Sequence, residues 1–171
     1  AAAAVGLTPA NINGAGQIVV AGTLAQIENF VAPAGARVRA LEVAGAFHTE
    51  HMASASSTLG RIGNAMSTHD PRIRLISNAD GQVVHDGRAV VRRLVSQVSQ
   101  PVRWDFCMET MLDLGITAMI EIPPAGTLTN LAKRAMPGVD TLALKTPDDL
   151  PAAWKMIERH GMKSTIETSP T

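Results

Sequence analysis

This sequence predicts an α/β fold built around a parallel sheet. Short β-branched or apolar runs alternate with amphipathic helices of about 10–15 residues, and Gly and Pro clusters part them. One run, residues 116–122, is apolar nearly throughout, as a strand covered on both faces is. Residues 17–22 (Gln-Ile-Val-Val-Ala-Gly) form the first predicted strand, β-branched and ended by a turn glycine. Leu24, Ile27 and Val31 then recur at helical spacing until Pro33, Ala34 and Gly35 close the helix. Residues 38–43 alternate apolar and charged side chains, which predicts a half-exposed strand. After His48, the residues Met52, Ala55, Leu59, Ile62 and Met66 step by threes and fours, one apolar stripe of a long helix that His69, Asp70 and Pro71 stop.

The alternation continues along the chain. Residues 72–77 read as a strand with Ile73 and Leu75 on one face, followed by the turn cluster Asn78, Ala79, Asp80 and Gly81. Val90, Leu94 and Val98, flanked by Val91 and Val95, predict a helix ending before Pro101; Trp104, Cys107, Met108 and Met111 predict another, stopped by Gly115. The apolar strand at 116–122 precedes a helix carrying Leu128, Leu131 and Ala135, then a short strand at 141–144. In the last helix Thr146 serves as N-cap, Pro147 sits in the first turn, Asp148 and Asp149 face the positive dipole end and Gly161 terminates it. Residues 162–171, rich in Ser, Thr and Pro, read as a loose tail. Residues 1–43 stand apart as part of a small α+β subdomain, with the boundary near Gly45.

Composition narrows the function. The 171 residues are 46% hydrophobic and 18% charged, in keeping with a soluble protein that buries a sizeable core. Lys and Arg total 15 and Asp and Glu total 15, a formal net charge of zero. That argues against nucleic-acid binding, because displacing counterions from a duplex needs an excess of cations. A single cysteine, Cys107, excludes a disulfide within the chain and a Cys-based zinc site. No apolar run approaches the roughly 20 residues that span a bilayer. The chain opens on four alanines without an initiator Met or a basic stretch, which predicts a cut point inside a longer chain rather than a signal peptide.

Among five histidines His48 stands apart. It follows a predicted strand and the small residues Ala44, Gly45 and Ala46, and it precedes a long helix. Open α/β sheets place ligands at such strand-to-helix corners. Histidine titrates near neutrality and can move a proton between a hydroxyl and a leaving group; it can equally cap a helix or fill a corner. His51, His69, His85 and His160 read as solvated surface. No serine has the Gly-x-Ser-x-Gly setting of a nucleophile elbow. Ser54, Ser56 and Ser57 read as helix surface, and Cys107 as a buried thiol. The run Asn13-Gly14-Ala15-Gly16-Gln17 fails the dinucleotide fingerprint because Val19 holds the third glycine position; a tight hairpin turn explains it, with Asn11 and Asn13 aimed at a cleft. Residues 123–129 lie between a strand and a helix, where free amides can meet an anionic ligand or simply begin the helix.

Five motifs, in order, resemble the C-terminal half of the malonyl-CoA:acyl-carrier-protein transacylases, actinobacterial members above all. They are residues 11–22 (Asn-Ile-Asn-Gly-Ala-Gly-Gln-Ile-Val-Val-Ala-Gly), Gly45-Ala46-Phe47-His48, Ser77-Asn78, residues 97–104 (Gln-Val-Ser-Gln-Pro-Val-Arg-Trp) and residues 124–134 (Pro-Ala-Gly-Thr-Leu-Thr-Asn-Leu-Ala-Lys-Arg). The resemblance implies part of an α/β-hydrolase-like parallel-sheet subdomain at 45–161 and the later part of a ferredoxin-like small subdomain at 1–44. It implies a cytoplasmic enzyme of fatty-acid synthesis that moves malonyl from malonyl-CoA to the phosphopantetheine thiol of acyl carrier protein, by a ping-pong Ser/His mechanism without metal or further cofactor. By motif, His48 matches the catalytic base and acid, and Gln97 the residue whose backbone carbonyl orients the imidazole. Phe47 matches the position tied to malonyl preference, and Asn11 and Asn13 match polar residues lining the cleft. The nucleophile elbow, the oxyanion-hole loop and the arginine for the malonyl carboxylate belong upstream in that family. The chain by itself is therefore expected to be inactive until that N-terminal half is supplied. Two rivals stand beside this reading: an acyltransferase domain of a polyketide or multifunctional fatty-acid synthase, and a non-catalytic piece that only binds a carrier protein or partner subunit.

Overall fold

The computed structural model describes residues 1–14 and 16–161; Ala15 of the expected glycine turn and the expected tail at 162–171 lie outside the described residues. The fold is mixed α/β, and the chain divides into two compact units between Asp113 and Leu114.

The first unit begins with a hairpin of β1 (Thr8–Ile12) and β2 (Ile18–Ala21). β1 falls outside the predicted strands because Pro9 and the polar Asn11 interrupt its pattern. The register shifts between Pro9 and Asn11, a break of the kind that tolerates a residue with no N–H to donate. Helix α1 (Leu24–Glu28) starts at a reciprocal capping box between Thr23 and Gln26. It ends before the predicted Val31, since Asn29 turns its side-chain amide back onto the Ala25 carbonyl at 2.8 Å. The strand expected at 38–43 does not form. Those residues are exposed and pair with no strand among the described residues, and a strand exists only through its ladder.

Helix α2 (Ala53–Ala65), entered through a 3₁₀ turn (Glu50–Met52), packs on α3 (Gly87–Gln97). The predicted apolar stripe is not the packing face: Leu59, Ile62 and Met66 are exposed. The smaller residues take its place. A Cβ on Gly63 would come within 2.9 Å of Val91 Cγ1 and 3.4 Å of Val95 Cγ2, and one on Gly60 within 3.5 Å of Val95 Cγ1. Ser56 Oγ donates to the Val95 carbonyl at 2.9 Å on the same seam. Small residues let two helices approach closely, an effect that apolar periodicity does not register. α3 is capped by Asp86, whose carboxylate accepts from the Ala89 N–H. Two short strands, β3 (Leu75–Ile76) and β4 (Val83–Val84), close a hairpin around Gly81, whose φ of 71° needs glycine. β5 (Val102–Arg103) pairs in parallel with β1, placing Val102 opposite Asn11. Helix α4 (Trp104–Asp113) then turns Cys107 and Met108 into the core beside Leu7, Ala10, Val84 and Val102.

In the second unit β6 (Ala118–Glu121) and β7 (Asp140–Ala143) are parallel and in continuous register, as the alternating pattern predicts. β6 is half-buried at Ala118, Met119 and Ile120 rather than fully covered, and Ile122 beyond it is exposed. Helix α5 (Thr127–Ala135) buries Leu131 and Ala132, and helix α6 (Leu150–His160) buries Ala153. Thr146 and Asp149 form a reciprocal capping box at the 3₁₀ turn (Pro147–Asp149) that leads into α6, as the local signals predict.

The strongest polar feature of this unit is Glu121, only 6% exposed. Its carboxylate accepts from the backbone N–H groups of Gly126, Leu128 and Thr129 at 2.8, 2.9 and 2.8 Å. Burial pushes its carboxyl upward, but the three N–H bonds and the Thr129 side chain together outweigh burial and hold it below its ordinary value. Three amides of the 123–129 segment, those of Gly126, Leu128 and Thr129, are thus occupied by the protein's own carboxylate.

Two outcomes follow from this packing. Gly63→Leu should drive a side chain into Val91 and Val95 and lower stability by about 1–3 kcal/mol, read by urea unfolding. Glu121→Gln keeps the shape but loses the charge-assisted bonds, and should cost about 1–3 kcal/mol at neutral pH. Because the folded carboxyl titrates below its ordinary 4.5, this stability is fully present above that pH and is lost as pH falls through the folded value. The gap between parent and variant should therefore narrow on acidification in the same unfolding experiment.

Candidate active site

His48 lies at the entrance to the 3₁₀ turn ahead of α2, with φ of 64°, the left-handed region that a non-glycine residue seldom occupies. Two consecutive carbonyls at the end of α3 hold it there. The His48 backbone N–H donates to the Val98 carbonyl at 3.0 Å, and its Nδ1 lies 2.6 Å from the Gln97 carbonyl oxygen. A carbonyl can only accept, so Nδ1 carries the proton and Nε2 keeps its lone pair, the tautomer required of a base working through Nε2. Gln97 is itself braced: its side-chain Nε2 donates to the carbonyls of Gln100 and Pro101 at 2.9 and 2.8 Å. The last carbonyls of a helix lack intrahelical partners and sit at the negative end of its dipole. They can therefore fix an imidazole as a carboxylate would.

Phe47 is 46% exposed, its ring 6.5 Å from the imidazole centroid and tilted by 59°. Gly45 lies against it; a Cβ there would touch the Phe47 ring at 3.7 Å and Met52 Sδ at 3.8 Å. Asn11 is half-buried in β1, and Asn13, 9% exposed, opens the hairpin turn with its N–H on the Gln17 carbonyl at 3.0 Å. The β1–β5 pairing sets Asn11 opposite Val102, on the segment that leaves Gln97. The structure therefore joins His48 directly to Gln97, sets Phe47 alongside and links Asn11 to the segment after Gln97 through the sheet, while Asn13 lies in the hairpin turn beyond β1.

Other candidates take ordinary roles. Ser56 bonds across the helix seam, while Ser54 and Ser57 are exposed. Cys107 is buried, its thiol directed at the Ser77 carbonyl and Asn78 Oδ1 at 3.5 Å; burial, with Asp105 and Asp80 nearby, pushes it up to about 11. A thiol so held is a poor nucleophile at neutral pH. His51, His69 and His85 are exposed, as expected. His160 is a correction: it is half-buried, with Nε2 2.9 Å from Asp140 Oδ2 and Nδ1 3.1 Å from Thr117 Oγ1. An open depression of about 580 Å³ lies along α2, lined by Thr58, Arg61, Ile62, Ala65 and Met66, none of them a site residue. Among the described residues no three His, Cys, Asp or Glu side chains gather to hold a metal ion. Sequence reasoning missed Thr49, 1% exposed directly after His48, because a lone threonine carries no periodic signal.

No protein-family model matches the chain. The malonyl CoA-acyl carrier protein transacylase of Mycobacterium tuberculosis is 51% identical over 146 residues, which are 84% of this chain and 48% of that protein. The crystal structure of MCAT from Mycobacterium tuberculosis superposes with a TM-score of 0.83 at 49% identity, covering 88% of this chain and 50% of the other. A type II polyketide-synthase acyl carrier protein in complex with its malonyl-transacylase gives a TM-score of 0.76 at 25% identity, covering 88% and 50%. The chain spans about half the length of the curated relatives it matches. By sequence and by fold the chain is a homologue, over about half of their length, of the malonyl CoA-acyl carrier protein transacylases, a family of enzymes.

Proposed function

We propose that these residues carry the base of a cytoplasmic malonyl transferase that takes malonyl from malonyl-CoA and gives it to the phosphopantetheine thiol of an acyl carrier protein. The observation that supports this reading best is the 2.6 Å contact between His48 Nδ1 and the Gln97 carbonyl, which leaves Nε2 as a proton acceptor. In this reading Nε2 takes the proton of a serine hydroxyl carried by a Gly-x-Ser-x-Gly turn outside these 171 residues, in the N-terminal half of the longer enzyme. The serine oxygen adds to the malonyl thioester carbonyl. The tetrahedral intermediate then collapses with loss of the CoA thiolate, which leaves with the proton held on Nε2. The carrier thiol next gives its proton to Nε2 and attacks the malonyl ester, and the serine oxygen recovers that proton. The two substrates bring all the groups transferred, so the scheme calls on no metal and no further cofactor.

Residues 1–44 belong in this reading to the small subdomain and 45–161 to the acyltransferase subdomain. Phe47, beside the imidazole, limits room at the acyl α-carbon, and Asn11 and Asn13 line the cleft. The carrier-protein complex of a related transacylase favours a second possibility for the partner, a polyketide carrier protein. Assays with fatty-acid and polyketide carriers side by side separate the two.

In the intact enzyme, His48→Ala should lower malonyl transfer by about 10²–10⁴-fold, because the serine loses its proton acceptor. Transfer within twofold of the parent would overturn the assignment. Phe47→Ser should raise the specificity constant for methylmalonyl-CoA relative to malonyl-CoA by about tenfold, since one methyl is worth about 1–3 kcal/mol in a packed pocket. An unchanged ratio would place Phe47 away from the acyl group.

A further inference from the structure

We propose that Thr49 is a positioning residue for the transfer reaction: its hydroxyl, closing on the Ala46 carbonyl, holds His48 in the left-handed backbone conformation that presents its imidazole to Gln97. The proposal rests on the reading of His48 as the base and deepens it. Thr49 Oγ1 donates to the Ala46 carbonyl at 2.6 Å, a bond that spans the strained residue from both sides. A non-glycine residue at φ of 64° persists only where its surroundings over-determine it. Two of the restraints reach His48 from α3, through Gln97 and Val98. The third is local and comes from Thr49.

The direction of that local bond is informative. Thr49 stands at the N-cap of the 3₁₀ turn (Glu50–Met52), where a threonine hydroxyl ordinarily accepts from an amide further along the turn. Its side chain makes no such cap and donates backwards instead, while being almost fully buried. The hydroxyl is thus spent on the shape of residues 46–49 and not on the helix that follows. It bonds to neither ring nitrogen of His48, so its effect on chemistry passes through the placement of that ring. An error of about 1 Å in such placement can cost about 10²-fold in rate.

The test uses the intact transacylase, including the half that bears the nucleophile, with malonyl-CoA and holo acyl carrier protein. Thr49→Val keeps shape and removes the hydroxyl; Thr49→Ser restores it. Thr49→Val should lower kcat by about 10–100-fold while KM for malonyl-CoA changes by less than about threefold, and Thr49→Ser should return kcat to within about threefold of the parent. Equal loss in the serine and valine variants, a rise in KM at parent kcat, or parent kinetics in Thr49→Val would overturn the proposal. Melting is followed in each variant. Should both Thr49→Val and Thr49→Ala fail to fold while Thr49→Ser folds, the hydroxyl is a folding element and the positioning role is overturned. His48→Ala assayed in parallel separates the two readings: full activity there overturns the role of His48. Loss of transfer in His48→Ala beside parent kinetics in Thr49→Val overturns Thr49 alone.

Discussion

The contact between His48 Nδ1 and the Gln97 carbonyl is the constraint around which the first unit is organised. A carbonyl 2.6 Å from Nδ1 fixes both the tautomer and the direction of the ring. It can do so only if the end of α3 is held still against the start of α2. The seam between these helices supplies that rigidity: Gly60 and Gly63 admit Val91 and Val95, and Ser56 bonds the Val95 carbonyl. Three residues beyond Val95, the Val98 carbonyl takes the His48 N–H, so packing and site geometry are continuous along one helix.

A carbonyl in place of a carboxylate has a physical consequence. A buried carboxylate beside the histidine would have to be desolvated, and it would leave a lone charge whenever the imidazole is neutral. The terminal carbonyls of α3 need a donor in any case, because a helix leaves its last C=O groups without partners. His48 satisfies two of them, through N–H and Nδ1. Gln97 completes the arrangement by spending its side-chain amide on the Gln100 and Pro101 carbonyls, which fixes the turn that its own carbonyl begins. The cost falls on His48, whose backbone adopts a conformation more natural to glycine.

What the sequence discloses follows from what periodicity can encode. Helices α3 through α6 and the pair β6–β7 are legible because each has enough residues for a repeat or for explicit capping residues such as Thr146 and Asp149. β4 and β5 are two residues each, too short for any repeat, and β1 is masked by Pro9. The strand expected at 38–43 shows the opposite failure, an alternating pattern with no partner to pair with among the described residues. Helix α2 shows a third: its apolar stripe is visible in sequence, but the contact is made by glycines on another face. The contact of His48 with Gln97 is legible through motifs. The Thr49 bond to Ala46 and, in the second unit, the bonds of Glu121 are not, because each lies in a bond pattern and not in any spacing.

The two units meet the same backbone problem, unpaired polar groups at a helix end, with opposite results. At α5 the free amides are consumed by Glu121, which takes three of them and is itself buried. A second carboxylate brought to those three amides would meet a like charge in a poorly solvated place. At α3 the carbonyls are satisfied by a side chain that keeps one nitrogen available. At the end of α3 the atom left chemically usable is His48 Nε2.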